Sequence, residues 1–144
     1  MTKVIHVLQD KAHHEIYTIR PEATVLEAIS LMADKGIGAL VVTDQNNHVV
    51  GILSERDYTR KVILMERTSK STTVSEIMTA KVLTVTKNTS VKECLNLITD
   101  HHLRHLPVLE GEQLVGLVSI GDLVKATMDD QRKLIEQLQQ YIAS

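Results

Sequence analysis

The stretch from Ile16 to Val62, IYTIRPEATVLEAISLMADKGIGALVVTDQNNHVVGILSERDYTRKV, returns with altered side chains from Val82 to Ala126 as VLTVTKNTSVKECLNLITDHHLRHLPVLEGEQLVGLVSIGDLVKA. Ile16 and Val82, Val25 and Val91, Glu27 and Glu93, Asp34 and Asp100, and Val42 and Val108 all stand 66 positions apart. After a one-residue contraction in a turn, Gly51 and Gly116, Ser54 and Ser119, and Asp57 and Asp122 stand 65 apart. An internal repeat decides the architecture, because each copy must fold into the same unit.

Each copy opens on a short β-run, Ile16 to Ile19 or Val82 to Val85. A helix follows, opened by Thr24 with Glu27 or by Ser90 with Glu93, the Ser/Thr-x-x-Glu pattern of a capping box. Val25, Ala28, Ile29 and Met32 recur at helical spacing, so the first of these helices carries one apolar stripe that must be buried. Two apolar strands come next, Leu40 to Thr43 and Val49 to Leu53, repeated as Leu106 to Leu109 and Leu114 to Val118. The polar residues between them, Asp44 to Asn47 and Glu110 to Glu112, suit hairpin turns. A second helix starts near Ser54 or Ser119. The unit reads β-α-β-β-α, twice, and the class is α/β with pseudo-two-fold symmetry.

Outside the repeat, a short helix is expected near the N-terminus. Arg67 to Thr73 is a polar, Ser- and Thr-rich connection, and Thr73 to Glu76 caps a short helix ending near Met78. From Asp129 to Ile142 the residues Leu134, Ile135, Leu138, Tyr141 and Ile142 form an amphipathic stripe, expected to cover the parent core or to meet a partner chain. The boundaries are then 10–66 for the first repeat, 67–79 for the connection, 80–127 for the second repeat and 128–144 for a C-terminal helix, all within one module.

The 144 residues suffice for one core shared by two half-domains. With three Tyr, no Phe and no Trp, that core is aliphatic, and base stacking on aromatic side chains is not on offer. The net charge of −2 gives no basic footprint for nucleic acid. No apolar run approaches the roughly 18 residues of a membrane span, no signal-peptide pattern opens the chain, and the cytoplasm is the expected compartment. The lone Cys94 reads as a small apolar filler on a helix.

With the repeat laid out, the chain resembles a pair of CBS domains, often called a Bateman module. The residues that carry the resemblance are Gly51-Ile-Leu-Ser-Glu-Arg-Asp57 and Gly116-Leu-Val-Ser-Ile-Gly-Asp122, with Arg104-His-Leu-Pro-Val108 and Glu76-Ile-Met-Thr79. It covers about residues 10 to 127. It implies clefts between the two repeats that bind an adenosine-containing ligand such as AMP, ADP, ATP, NAD or S-adenosylmethionine, with NAD or AMP favoured here, and it implies a homodimer.

The chemistry of the repeated motif agrees with this. A Ser at a helix start satisfies an exposed backbone N–H, and the Asp three residues on lies beside it in the first turn. A carboxylate accepts from two neighbouring hydroxyls, which suits the 2′ and 3′ groups of ribose. Asp57 and Asp122 are the ribose candidates, with the alternative that both pairs are ordinary helix caps. The two copies differ in their cations. Arg56 and Arg60 follow the first motif, where the second has Ile120, Gly121 and Lys125; Arg104 and His105 stand where the first copy has Gly38 and Ala39. The resemblance implies that one site combines Ser54 and Asp57 with Arg104 and His105 around phosphate. The other combines Ser119 and Asp122 with Gly38 and Ala39 in a roomier, less cationic cleft, so unequal sites are expected. Thr18 and Thr84 are candidates for ribose or base, or plain strand residues. Pro107 either frees neighbouring backbone to read the adenine edge or is a plain strand-start proline.

The expected function is a regulatory module whose nucleotide-bound form is read by a regulated protein. The alternative is a structural dimerisation adaptor with vestigial sites. Catalysis is not expected: the chain is too short for the catalytic barrel of about 250 residues that accompanies CBS pairs in inosine monophosphate dehydrogenases, and Ser54 and Ser119 lack a nucleophile elbow. The clusters His13, His14 and His101, His102, His105 lack ligand spacing, and no metal is expected. Neither a GxGxxG nor a P-loop is present.

Overall fold

The computed structural model describes residues 2–10 and 16–143. Its elements in chain order are α1 (Val4–Asp10), β1 (Thr18–Ile19), α2 (Val25–Lys35), β2 (Ala39–Thr43), β3 (Val49–Ser54), α3 (Glu55–Tyr58), a π-helical turn (Thr59–Ile63), α4 (Val74–Ile77), α5 (Val91–His101), β4 (His105–Glu110), β5 (Gln113–Ser119) and α6 (Ile120–Ala143). The mixed α/β class and the tandem repeat follow the sequence. The described residues form two compact units, one of residues 16–83 and 111–114, the other of residues 2–10, 84–110 and 115–143.

In the first unit the strand order is β1-β2-β3. β1 runs parallel to β2, with Thr18 opposite Val41, and β2 pairs antiparallel with β3 from Ala39 opposite Ser54 to Thr43 opposite Val49. The Asp44 carboxylate accepts the N–H groups of Asn46 and His48 at 2.9 Å each, closing the hairpin. Those bonds hold its carboxyl below the usual carboxylate range, the His48 N–H being the largest cause. Thr24 caps α2 by accepting the Glu27 N–H, and Gly36 ends it in a left-handed turn (φ 65°) that glycine adopts without penalty. The buried face of α2, Val25, Ala28 and Met32, packs on Leu40, Val42 and Leu53 of the sheet and on Val74 and Ile77 of α4.

The second unit repeats the plan with one strand fewer. Ser90 caps α5 by accepting the Glu93 N–H at 3.1 Å, and His102 takes the left-handed position that ends it. β4 and β5 form a two-stranded sheet, turning at Gly111 (φ 63°). Where a strand from Val82 to Val85 is expected, only Val85 bridges, to Val108. The pairing that Thr18 makes with Val41 corresponds to Thr84 and Pro107, and a ladder continued there needs an N–H that proline lacks. The Pro107 carbonyl still accepts the Val85 N–H at 3.0 Å. Pro107 is thus the third residue of a buried strand and the stop of its neighbour.

α1 and α4 play matching parts. The Val74 and Ser75 N–H groups donate to Ala23 and Pro21, while Thr72 and Ser69 accept the orphan N–H groups of Val25 and Leu26 at the start of α2. In the second unit the Val4 and Ile5 N–H groups donate to Thr89 and Lys87, and Thr2 accepts the Val91 N–H at the start of α5. The connection between repeats therefore completes the first copy, and the N-terminal segment completes the second. Periodicity within either copy does not reveal this.

Two further departures concern helices. After α3 the backbone widens, the Leu64 N–H reaching Thr59 at 3.1 Å across a π turn, with Val62 fully buried. After Ser119 the expected second helix and the expected C-terminal helix are one continuous helix of 24 residues. Among the described residues, no helix is long and apolar enough to cross a membrane.

Candidate functional site

Both Ser-x-x-Asp motifs lie where a β-strand ends and a helix begins, and their local geometry is nearly superposable in kind. In the first unit the Ser54 hydroxyl accepts the Asp57 N–H at 3.2 Å, and Asp57 Oδ2 accepts the Ser54 N–H at 3.0 Å. In the second, the Ser119 hydroxyl accepts the Asp122 N–H at 3.1 Å, and Asp122 Oδ2 accepts the Ser119 N–H at 2.9 Å. These are reciprocal capping boxes with Asp in the place usually held by Glu. One oxygen of each carboxylate is committed to its own helix start, so cap and ribose acceptor are compatible roles for different atoms of one side chain.

The other oxygen separates the copies. Asp57 Oδ1 lies 3.4 Å from Lys61 Nζ, and that ammonium also donates to the Ile77 carbonyl at 2.9 Å. Ala126 stands at the matching place after Asp122. Lys61 was not among the sequence candidates; its signal was the i,i+4 spacing from Asp57. Sharing between a carbonyl and a half-buried carboxylate holds this ammonium beside the carboxylate.

Each cap is tied to the strand start of its own copy. The Glu55 N–H donates to the Gly38 carbonyl at 3.0 Å, and the Ile120 N–H donates to the Arg104 carbonyl at 2.9 Å. Within the first unit this sets exposed Gly38 and buried Ala39 beside Ser54, which pairs with Ala39 across the sheet. Within the second it sets exposed Arg104 and half-buried His105 beside Ser119. Arg56 is half-buried on α3, and Arg60 is exposed on the π turn. Thr18 is half-buried in β1, whereas Thr84, without a strand partner, is exposed. Pro107 is buried in β4.

The second unit also carries a groove of about 1110 Å³ between α1 and α6. Thr2, His6 and Asp10 line one wall and Asp122, Lys125, Asp129 and Lys133 the other. Of the sequence candidates, only Asp122 reaches it. Thr2 donates to Asp130 across the groove at 2.7 Å.

Cys94 is fully buried on α5, and burial pushes its thiol up to about 11. It packs as an apolar filler and is closed to nucleophilic chemistry. Among the described residues, no group of three or more His, Cys, Asp or Glu is placed to hold a metal ion. His13 and His14 lie outside the described residues.

The CBS domain model matches residues 7–63 and 74–129. The second match begins at α4, the element that completes the first unit, because the sequence motif follows the chain rather than the packing. A mitochondrial CBS domain-containing protein of Arabidopsis thaliana is 42% identical over 123 residues, 83% of this chain and 60% of that protein. The chain thus spans about 60% of the length of that relative. Among solved structures, a protein with CBS domains from Burkholderia ambifaria MC40-6 is 52% identical with a TM-score of 0.85, covering 90% of this chain and 96% of that one. A hexameric CBS-CP12 protein from bloom-forming cyanobacteria is 27% identical with a TM-score of 0.77, covering 86% and 70%. With two matched domains, a shared fold and both capped Ser-x-x-Asp motifs in place, the chain belongs to the CBS domain family, whose paired domains are generally regulatory ligand-binding modules.

Proposed function

We propose that this CBS pair is a regulatory module that binds an adenine nucleotide, AMP or NAD in preference to ADP or ATP, and that a partner protein reads the bound state. The observation that carries the reading is the repeated cap. Two carboxylates 65 residues apart are held at helix starts by the same pair of bonds, and a carboxylate so placed is a suitable acceptor for ribose hydroxyls. Arg56 and Arg60 in one unit and Arg104 and His105 in the other supply donors for phosphate, and exposed Thr84 beside the interrupted ladder supplies polar contacts for the base. Lys61 beside Asp57, against Ala126 in the second copy, supports two unequal sites. A ligand shifts the module between two states only by its differential affinity for them, so a regulatory role requires that one state bind more tightly. We place this activity in the cytoplasm, with no catalytic step.

The test is a thermal-shift panel with AMP, ADP, ATP, NAD, NADH and S-adenosylmethionine, followed by calorimetric titration of any ligand that raises Tm. Asp57→Asn and Asp122→Asn are the informative variants. Asn keeps an acceptor for the Ser54 or Ser119 N–H, whereas Ala also removes the cap at a cost of about 0.5–2 kcal/mol. The expected result is a Tm rise with one adenosine ligand that is lost in the double Asn variant while the ligand-free Tm stays near wild type. Flat curves for all six ligands in a well-folded protein would favour a structural adaptor with vestigial sites.

A further inference from the structure

α6 leaves one face uncovered. Residues 130–143 are exposed throughout, and no described part of the chain packs on the outer face of this helix. Its tertiary support is limited to the groove wall facing α1 and the Thr2–Asp130 hydrogen bond, and a helical extension of that length is marginal in water, where isolated helices shorter than about 12–15 residues barely hold. Its apolar residues fall on a heptad rhythm. Val124, Gln131 and Leu138 take one core position, and Met128, Ile135 and Ile142 take the other, with alternating steps of four and three. The apolar members of this seam are 44–82% exposed. The opposite face is already used: Leu123 is fully buried, and Asp122, Ala126 and Asp129 line the groove toward α1.

We propose that a second copy of this chain covers this seam, forming a parallel, in-register two-stranded coiled coil over Val124–Ile142. β-Branched Ile135 and Ile142 at one core position with Leu138 at the other is the pattern that favours two parallel strands. Gln131 meets its own copy in the seam, so one polar pair fixes the register at some cost in stability. The flanks select the orientation. In a parallel pair Arg132 faces Thr127 and Gln139 faces Leu134, with no like charges opposed. An antiparallel pair would set Lys125, Arg132 and Gln139 of one helix against the same row of the other. The seam residues with Leu134, which also edges the groove, expose roughly 600 Å² per chain, so complete burial in two copies covers on the order of 1,200 Å², the lower bound of a specific stable interface. This pairing is independent of what the Ser-x-x-Asp caps bind.

The test is disulfide trapping in the full chain, with Gln131→Cys, Leu138→Cys and Lys133→Cys made singly and oxidised at micromolar protein with a glutathione redox mixture. Cys94 is buried, so the wild type is the unreactive control. In-register pairing sets the thiols at 131 and at 138 each against its own copy at millimolar effective concentration, so both variants should form covalent dimers about 100-fold faster than Lys133→Cys on the far face. Ile135→Glu combined with Leu138→Cys should abolish the fast trapping, with any loss of far-ultraviolet helix signal limited to the end of α6 and the cooperative melting of the rest retained. Equal rates at all three positions overturn the proposal. So does fast trapping only when Gln131→Cys is mixed with Ile135→Cys, because antiparallel helices set one core position against the other.

Discussion

Replacing Gly51 by alanine tests whether α4 is truly a part of the first unit. A Cβ at this position lies 2.5 Å from Met78 Sδ, 3.0 Å from Met78 Cγ and 3.1 Å from the Thr79 carbonyl oxygen. The thioether is flexible and swings aside. The carbonyl is not free to follow, because it accepts the Ile52 N–H at 3.0 Å while the Thr79 N–H donates to Ile52 at 2.9 Å. Overpacking of this kind costs about 1–3 kcal/mol. Removing the flexibility of glycine from the unfolded chain returns about 0.4–1 kcal/mol, leaving a net loss of about 1–2 kcal/mol. For a chain of this size that is a fall in Tm of about 3–8 °C, read by calorimetry or by circular dichroism with a urea titration alongside. Gly116→Ala should cost less, because the three atoms nearest its Cβ all belong to the side chain of Leu8, the methyls at 2.7 and 2.9 Å and Cγ at 3.4 Å. Adding Met78→Ala to Gly51→Ala should recover part of the loss relative to the sum of the single changes, since the two sites touch. A Gly51→Ala protein that melts at or above the wild-type temperature would refute the reasoning and detach α4 from the unit.

Gly121→Ala should have the opposite sign, a gain of about 0.5 kcal/mol in urea unfolding, because it lies in the first turn of α6 and its nearest obstacle is the Ser119 hydroxyl at an ordinary 3.6 Å. Cys94 should resist thiol reagents at pH 8 in the native protein and react only at the rate of unfolding. Its raised native pKa of about 11, against 9.0 for the free group, means that the unfolded thiol ionises first. Stability from this group is therefore complete below about pH 9 and lost as pH rises toward 11, and Cys94→Ala should flatten that decline in unfolding curves. Asp44 should titrate below 3.8 by carboxyl NMR. Its support of the β2–β3 hairpin is present above the unfolded value and fades as pH falls through the lower native one; Asp44→Asn should remove that part of the acid dependence.

Much of this molecule is written in short-range signals. Thr24 with Glu27 and Ser90 with Glu93 mark helix starts because a hydroxyl and an N–H three residues on are neighbours in any such helix, and Gly111 between two alternating apolar runs marks a hairpin because its φ is open. The repeat itself then made the α/β class and the family legible without coordinates, and placed Ser54, Asp57, Ser119 and Asp122 at helix starts. What the sequence left open depends on partners distant along the chain. The orphan N–H groups of α2 and α5 are answered by Thr72 and Thr2, and no periodicity in either copy says which distant segment arrives. Pro107 ends the β-ladder at Thr84 only because the two segments are brought side by side. Asp57 acquires Lys61 because that ammonium is also held by the Ile77 carbonyl, and the seam of α6 stands uncovered because α1 and α5 occupy its other faces. Hydrogen-bond capacity and apolar periodicity are local properties of residues, whereas the choice of which distant group satisfies them is made only when the whole chain packs.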